Sequence, residues 1–173
     1  ISSVYSFQGI YYDAEPLLKR ALEINEKNLG SGDPAVAIAL NNLATVYSSQ
    51  GRHQEAEPLL KRALEIDERT LGEYHPDLVI GLNNLATVYS NLGKYSDAEP
   101  LLKRALEINE KNLGPDDPAV AIALNNLATI YSHQGKYQDA EPLLINALLI
   151  DEKAPGEDHP YMTTYLNNLA TVY

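Results

Sequence analysis

The apolar and polar positions of this chain recur with a fixed step. Ala-Glu-Pro-Leu-Leu begins at Ala14, Ala56, Ala98 and Ala140, and Asn-Asn-Leu-Ala-Thr at Asn41, Asn83, Asn125 and Asn167, each 42 residues apart. Within the copy from Asp33 to Tyr74, two segments carry apolar residues at helical spacing. Leu40, Leu43, Ala44 and Tyr47 share a sector of about 100° on one helical wheel (helix A). Ala56, Leu60, Ala63 and Leu64, widened by Leu59 and Ile66, form a stripe on a second (helix B). Asp33-Pro34 predicts the start of A, with an Asp cap and a proline where its lost N–H matters least; Asp117-Pro118 repeats it. His75-Pro76 and His159-Pro160 set a weaker cap at that position. A is expected to run to about Gln50 and stop at Gly51, with Gly9, Gly93 and Gly135 in the same place. B is expected from about Gln54 to Thr70, closed by Gly72 as by Gly30 and Gly114. Pro58, in the second turn of B, predicts either a start displaced toward it or a slight kink.

One such hairpin buries too few large side chains to offset the entropy of ordering its own residues, so units must stack and share faces. The expected architecture is all-α, a right-handed superhelical solenoid of antiparallel helix hairpins. The period divides the single solenoid 1–173 into a partial repeat 1–32, repeats 33–74, 75–116 and 117–158, and helix A of a further repeat, 159–173. Ile1–Tyr5 aligns with Leu43–Tyr47, and Tyr173 with Tyr47, so the period predicts an excerpt from a longer array.

Composition narrows the chemistry. With 24 acidic and 13 basic residues the net charge is −11, which repels a phosphate backbone and makes nucleic acid and anionic membrane poor partners. The chain has no Cys, which removes disulfides, thiolate metal sites and Cys nucleophiles. No apolar run approaches the roughly 18 residues of a membrane span, and no basic-then-apolar signal opens the chain; the expected location is cytoplasmic. The acids recur by period, as Glu15/Glu57/Glu99/Glu141 and Glu23/Glu65/Glu107, which reads as a solvated helix face rather than a catalytic pair. None of His53, His75, His133 and His159 has a partner at zinc spacing on one helix, and His75 and His159 read as caps. No phosphate loop or nucleophile elbow appears, so no enzyme activity, cofactor or metal is expected.

The spacing of Leu43, Ala44, Tyr47, Gly51, Ala56, Leu60 and Ala63 resembles the tetratricopeptide repeat. The usual Trp position holds Leu40, and the closing Pro of the 34-residue form falls on Glu68. The 42-residue length, with Leu-Asn-Asn-Leu-Ala, Ala-Glu-Pro-Leu and Arg-Ala-Leu-Glu-Ile, is similar to kinesin light chain repeats. The resemblance implies a scaffold that holds peptides in a concave groove lined by the A helices.

The wheel agrees. Opposite the apolar stripe of A lie Ile38, Asn41, Asn42, Thr45, Ser48 and Ser49, followed by Ile80, Asn83, Asn84, Thr87 and Asn91, then Ile122, Asn125, Asn126, Thr129 and His133. Amides that both donate and accept could grip the backbone of an extended segment, with the isoleucines adding apolar contact. The competing use of these Asn is to brace neighbouring helices. Ser49, Asn91 and His133 vary at one equivalent site, where specificity would lie. The A wall has no Lys or Arg between Asp33 and Gln50, which argues against an acidic C-terminal tail as ligand; basic residues recur on B instead, as Lys19-Arg20, Lys61-Arg62 and Lys103-Arg104. The fourth copy replaces Lys61 and Glu65 with Ile145 and Leu149, an exposed apolar pair one turn apart. It also carries Ala154-Pro155, expected to shorten or bend the end of B. Two functions follow: a protein or peptide scaffold, or an element that associates with its own copies through its ends or the Ile145/Leu149 patch.

Overall fold

The computed structural model describes residues 2–153 and 161–173, with side chains from residue 14 onward. Among the described residues there are eight helices and no strand: α1 (Ser2–Leu29), α2 (Pro34–Ser49), α3 (His53–Leu71), α4 (Leu78–Asn91), α5 (Tyr95–Leu113), α6 (Pro118–His133), α7 (Tyr137–Lys153) and α8 (Met162–Val172). The A helices are α2, α4, α6 and α8; α3, α5 and α7 are B helices. The chain divides into two compact units, Ile1–Leu92 and Gly93–Tyr173, and the division falls at an A/B turn inside the 75–116 period.

The turns form where the glycines foretold them. Gly51 takes φ 75° and Gly135 φ 73°. Past them, the Arg52 and Lys136 N–H groups reach back to the Tyr47 and Tyr131 carbonyls, each at 2.8 Å, closing the last turn of A. Asp33 Oδ1 accepts the Ala35 N–H at 2.9 Å and Asp117 Oδ1 the Ala119 N–H at 2.8 Å. His75 uses Nδ1 in the same way on the Asp77 N–H at 3.2 Å, although α4 becomes regular only at Leu78. His159 and Ala154-Pro155 lie outside the described residues.

Two local expectations are corrected. Gly9 does not end a helix: α1 runs unbroken for 28 residues. Ile10 stands where Arg52, Lys94 and Lys136 follow the other turns, so the basic residue of those turns is missing here. The start of B is not displaced toward Pro58 either, because α3 begins at His53. The Arg52 carbonyl accepts from the Glu55 and Ala56 N–H groups, and the Arg52 guanidinium grips the Glu55 carboxylate with two bonds of 2.6 Å. That first turn outweighs the single bond Pro58 cannot donate.

Each unit has its own core. In the first, Val36, Ala37, Leu40, Ala63 and Ile66 cluster, with Leu22 and Leu59 packed against them. In the second, Val120, Ala121, Leu124, Ala147, Ile150 and Tyr165 form one cluster and Ala128, Ala140 and Leu144 another. Burial on α2 extends past the predicted stripe to Val36, Ala37, Ala39 and Val46, since α2 is packed by both α1 and α3. An A helix flanked on two sides keeps only a narrow strip for solvent.

Candidate peptide-binding faces

In the first unit that strip carries most of the anticipated residues. Ile38 and Ile80 are 63% and 70% exposed, unusually open for large apolar side chains one period apart. Asn42, Thr45, Ser49, Thr87 and Asn91 are exposed, while Asn41, Asn83 and Asn84 are half-buried. The Thr45 and Thr87 hydroxyls donate to the Asn41 and Asn83 carbonyls at 2.9 Å, and Ser49 donates to the Thr45 carbonyl at 2.9 Å. Their protons are therefore committed to their own helices, leaving lone pairs and methyl groups outward. A shallow cleft of about 120 Å³ lies among Thr45, Ser48, Ser49, Asn84 and Thr87.

The second unit arranges the same pattern differently. Asn125 is buried, and its Oδ1 accepts from Asn168 Nδ2 at 2.7 Å, so this amide braces α6 against α8. Ile122, Asn126 and Thr129 are half-buried and His133 is exposed. A cleft of about 330 Å³ is lined by Thr129, Ser132, His133, Tyr137, Asn168 and Thr171. The His133 ring stands 5.0 Å from that of Tyr95. Tyr137, Asn168 and Thr171 escaped the sequence reading; their signal was positional, since Tyr137 follows the Gly135-Lys136 turn and so points back toward the end of A.

The acids at the start of B are not the solvated face that their period implied. Glu15, Glu57 and Glu99 side chains are only 16%, 14% and 19% exposed, and each is bonded one turn on, to Lys19, Lys61 and Lys103 at 2.6–2.7 Å. Arg52 adds a 2.7 Å bond to Glu15 and lies 4.1 Å over the Tyr47 ring; Lys136 reaches Glu99 at 3.0 Å and sits 5.3 Å over Tyr131. Lys19 first and then Arg52 hold the Glu15 carboxyl down to about 2, and Lys103 then Lys136 do the same to Glu99. These clusters tie the start of a B helix to the turn after the following A helix. They structure the hairpins and leave the A faces without cations. Ile145 and Leu149 on α7 are 40% and 49% exposed, as the pattern indicated.

The tetratricopeptide repeat profile matches residues 1–69, 46–111, 77–144 and 119–173, from one end of the chain to the other. The chain belongs to the tetratricopeptide repeat family. Among solved structures it is similar to the nearly identical tetratricopeptide-like repeats assigned to a Podosopora anserina kinesin light chain, with a TM-score of 0.84 at 29% identity over 99% of this chain and 81% of that one. It is similar to BtubC (BKLC) from P. vanneervenii, with a TM-score of 0.84 at 27% identity over 99% of this chain and 68% of that one. The N-terminal domain of stress-induced protein-1 from C. elegans, at 19% identity over 79% of this chain and 96% of that one and a TM-score of 0.57, shares the fold. A search of curated proteins found no significant match. Tetratricopeptide repeat proteins are in general non-catalytic scaffolds that bind other proteins. No helix among the described residues is long and apolar enough to cross a membrane.

Proposed function

We propose that this tetratricopeptide repeat chain binds an extended protein segment along the open faces of its A helices. The exposure of Ile38 and Ile80 carries the reading: two large aliphatic side chains stand in water one period apart, beside amides of α2 and α4 able to hold a peptide backbone. The second unit offers an analogous surface at the His133/Tyr137 cleft. The test is capture of ten-residue peptides from an array in which Arg, Lys, Gln and Glu are scanned through a Leu/Ser background. Ile38→Glu with Ile80→Glu, both at open positions, should leave far-UV circular dichroism unchanged and abolish capture on the first face. Equal capture by this variant would refute the role of that face.

A second reading is supported by Ile145 and Leu149, which expose an apolar pair on α7. In that reading two copies associate through α7, and sedimentation equilibrium would show mass rising with concentration, abolished by Ile145→Lys with Leu149→Lys. A constant monomer mass near 19.1 kDa would dismiss it.

A further inference from the structure

The copies of this array are so alike that departures from the period carry its information. Three departures meet in one cleft of the first unit. Two copies hold Asn25 and Asn109 where this one holds Asp67, an acid shared only with Asp151 of the fourth copy; they hold Ala35 and Ala119 where it has Asp77, and Ala39 and Ala123 where it has Gly81. All three line a cleft of about 330 Å³ together with Ile38, Asn41, Leu71 and Ile80.

The job of the Asn shows what the exchange does. Asn25 Nδ2 donates to the Ala35 carbonyl and Asn109 Nδ2 to the Ala119 carbonyl, both at 3.2 Å. The equivalent pair here is Asp67 and residue 77. A carboxylate has no proton to give, so the exchange sets an acceptor against an acceptor, and Asp77 adds a second carboxylate. Burial, then the charge of Asp77, push the Asp67 carboxyl above its ordinary range. Asn41 Oδ1 is also buried and has no hydrogen-bond partner among the described residues. His75 Nδ1 lies 3.6 Å from the Asp77 carboxylate, yet it is already accepting the Asp77 N–H. The two charged residues lining the cleft are thus both acidic.

The remaining wall is apolar and roomy. A Cβ at Gly81 would meet only Leu64 Cδ1, at an ordinary 3.6 Å, so crowding does not demand glycine there. Glycine is held there at a cost in helix propensity. In the last copy the same position holds Tyr165, whose side chain is buried in the core of the second unit.

We propose that this cleft receives the side chain of a lysine or arginine carried by the segment that lies on the α2/α4 face. The cationic head sits between Asp67 and Asp77, and its methylene stem lies along Ile38, Ile80 and Leu71. A guanidinium suits the place best, since its planar fork can donate to both carboxylates at once. The apolar wall favours a long-stemmed cation over a bare hydrated ion. The inference rests on the peptide-binding reading of this face and specifies the chemistry that it selects.

The test uses the same arrayed ten-residue peptides with the wild-type chain and with Asp67→Asn/Asp77→Ala. These substitutions install the residues found at Asn25 and Asn109 and at Ala35 and Ala119, and Asp77 makes no side-chain cap bond, so the variant should fold. Peptides captured by the wild type are remade with Arg, Lys, Gln or Glu at the selected position and titrated by fluorescence anisotropy. The Arg and Lys forms should bind the wild type roughly ten- to a hundredfold more tightly than the Gln form, as expected for charge-assisted bonds. The variant should lose that margin and bind the Gln form unchanged. Capture without preference for a cation, or a preference that survives in the variant, would overturn the cation site and leave peptide binding on this face standing. Capture of no peptide by the wild type would overturn both.

Discussion

Replacing Asp67 with asparagine should make the protein more stable, an unusual direction for a change at a half-buried site. Asn25 and Asn109 show the bond to be gained, from Nδ2 to the carbonyl ten residues on, at 3.2 Å. A neutral hydrogen bond of this kind contributes about 0.5–1.5 kcal/mol net. Removing the repulsion between Asp67 and Asp77 acts in the same direction. In a chain of this length each kcal/mol moves Tm by about 2–4 °C, so Asp67→Asn should raise it by roughly 1–6 °C at pH 7. The sign of the pH dependence follows from the upward shift of the Asp67 carboxyl from its ordinary 3.8. A carboxyl raised in the folded state penalises folding while it is ionised. The penalty is fully present above the folded pKa and is relieved as pH falls through that value toward 3.8. A protonated Asp67 can also donate, as asparagine does. The advantage of the variant should therefore be largest at neutral pH and shrink as pH falls toward 3.8. Differential scanning calorimetry from pH 3 to pH 7 measures it. A variant no more stable than wild type at pH 7, or a gain that does not change with pH, would refute the reasoning.

Leu144→Ala, at a side chain with no exposed surface between Ala128 and Ala140, should cost about 2–5 kcal/mol in urea unfolding; a loss below 1 kcal/mol would show that the core around α7 collapses onto the gap. Gly72→Ala should cost about 1–3 kcal/mol, although nothing lies within 4 Å of the added Cβ, because Gly72 sits at φ 92°, ψ 158°; an unchanged denaturation midpoint would contradict this. Carboxyl NMR titration should find Glu15 and Glu99 ionised down to about 2, against an ordinary 4.5. Because these pKa values are lowered, the stabilisation they bring is present above 4.5 and disappears as pH falls toward 2; midpoints at 4.5 would mean that the lysine and arginine bonds do not persist in solution.

Much of the fold was legible in the chain because a repeated hairpin is specified by local chemistry. The apolar stripe of Leu40, Leu43, Ala44 and Tyr47, the Asp33-Pro34 start and the Gly51 and Gly72 stops each act over a few residues, and each is present in the folded protein. Gly9 misled for the same reason. A glycine permits a turn but does not compel one, and α1 continues through it. The A face was legible as a list of outward positions, though its divisions were not. A wheel assigns Asn41, Asn83 and Asn125 one direction, whereas Asn125 is taken up by Asn168 of the next A helix and Asn41 and Asn83 keep a buried oxygen without a hydrogen-bond partner among the described residues.

The acids divide in the same manner. Glu15 and Glu99 looked solvated on their own helix; besides Lys19 and Lys103 one turn on, they gain Arg52 and Lys136 from a later turn. The sequence by itself determined the period, the helices, their stops and which residues point away from each stripe, because these depend on neighbours within one or two turns. Packing between helices decided the rest: which outward amide is braced and which is not, and that Asp67, Asp77 and Gly81, spread over 14 positions of the chain, share the walls of one cleft. Such meetings depend on how one helix lies against the next, a relation that no periodicity along a single helix encodes.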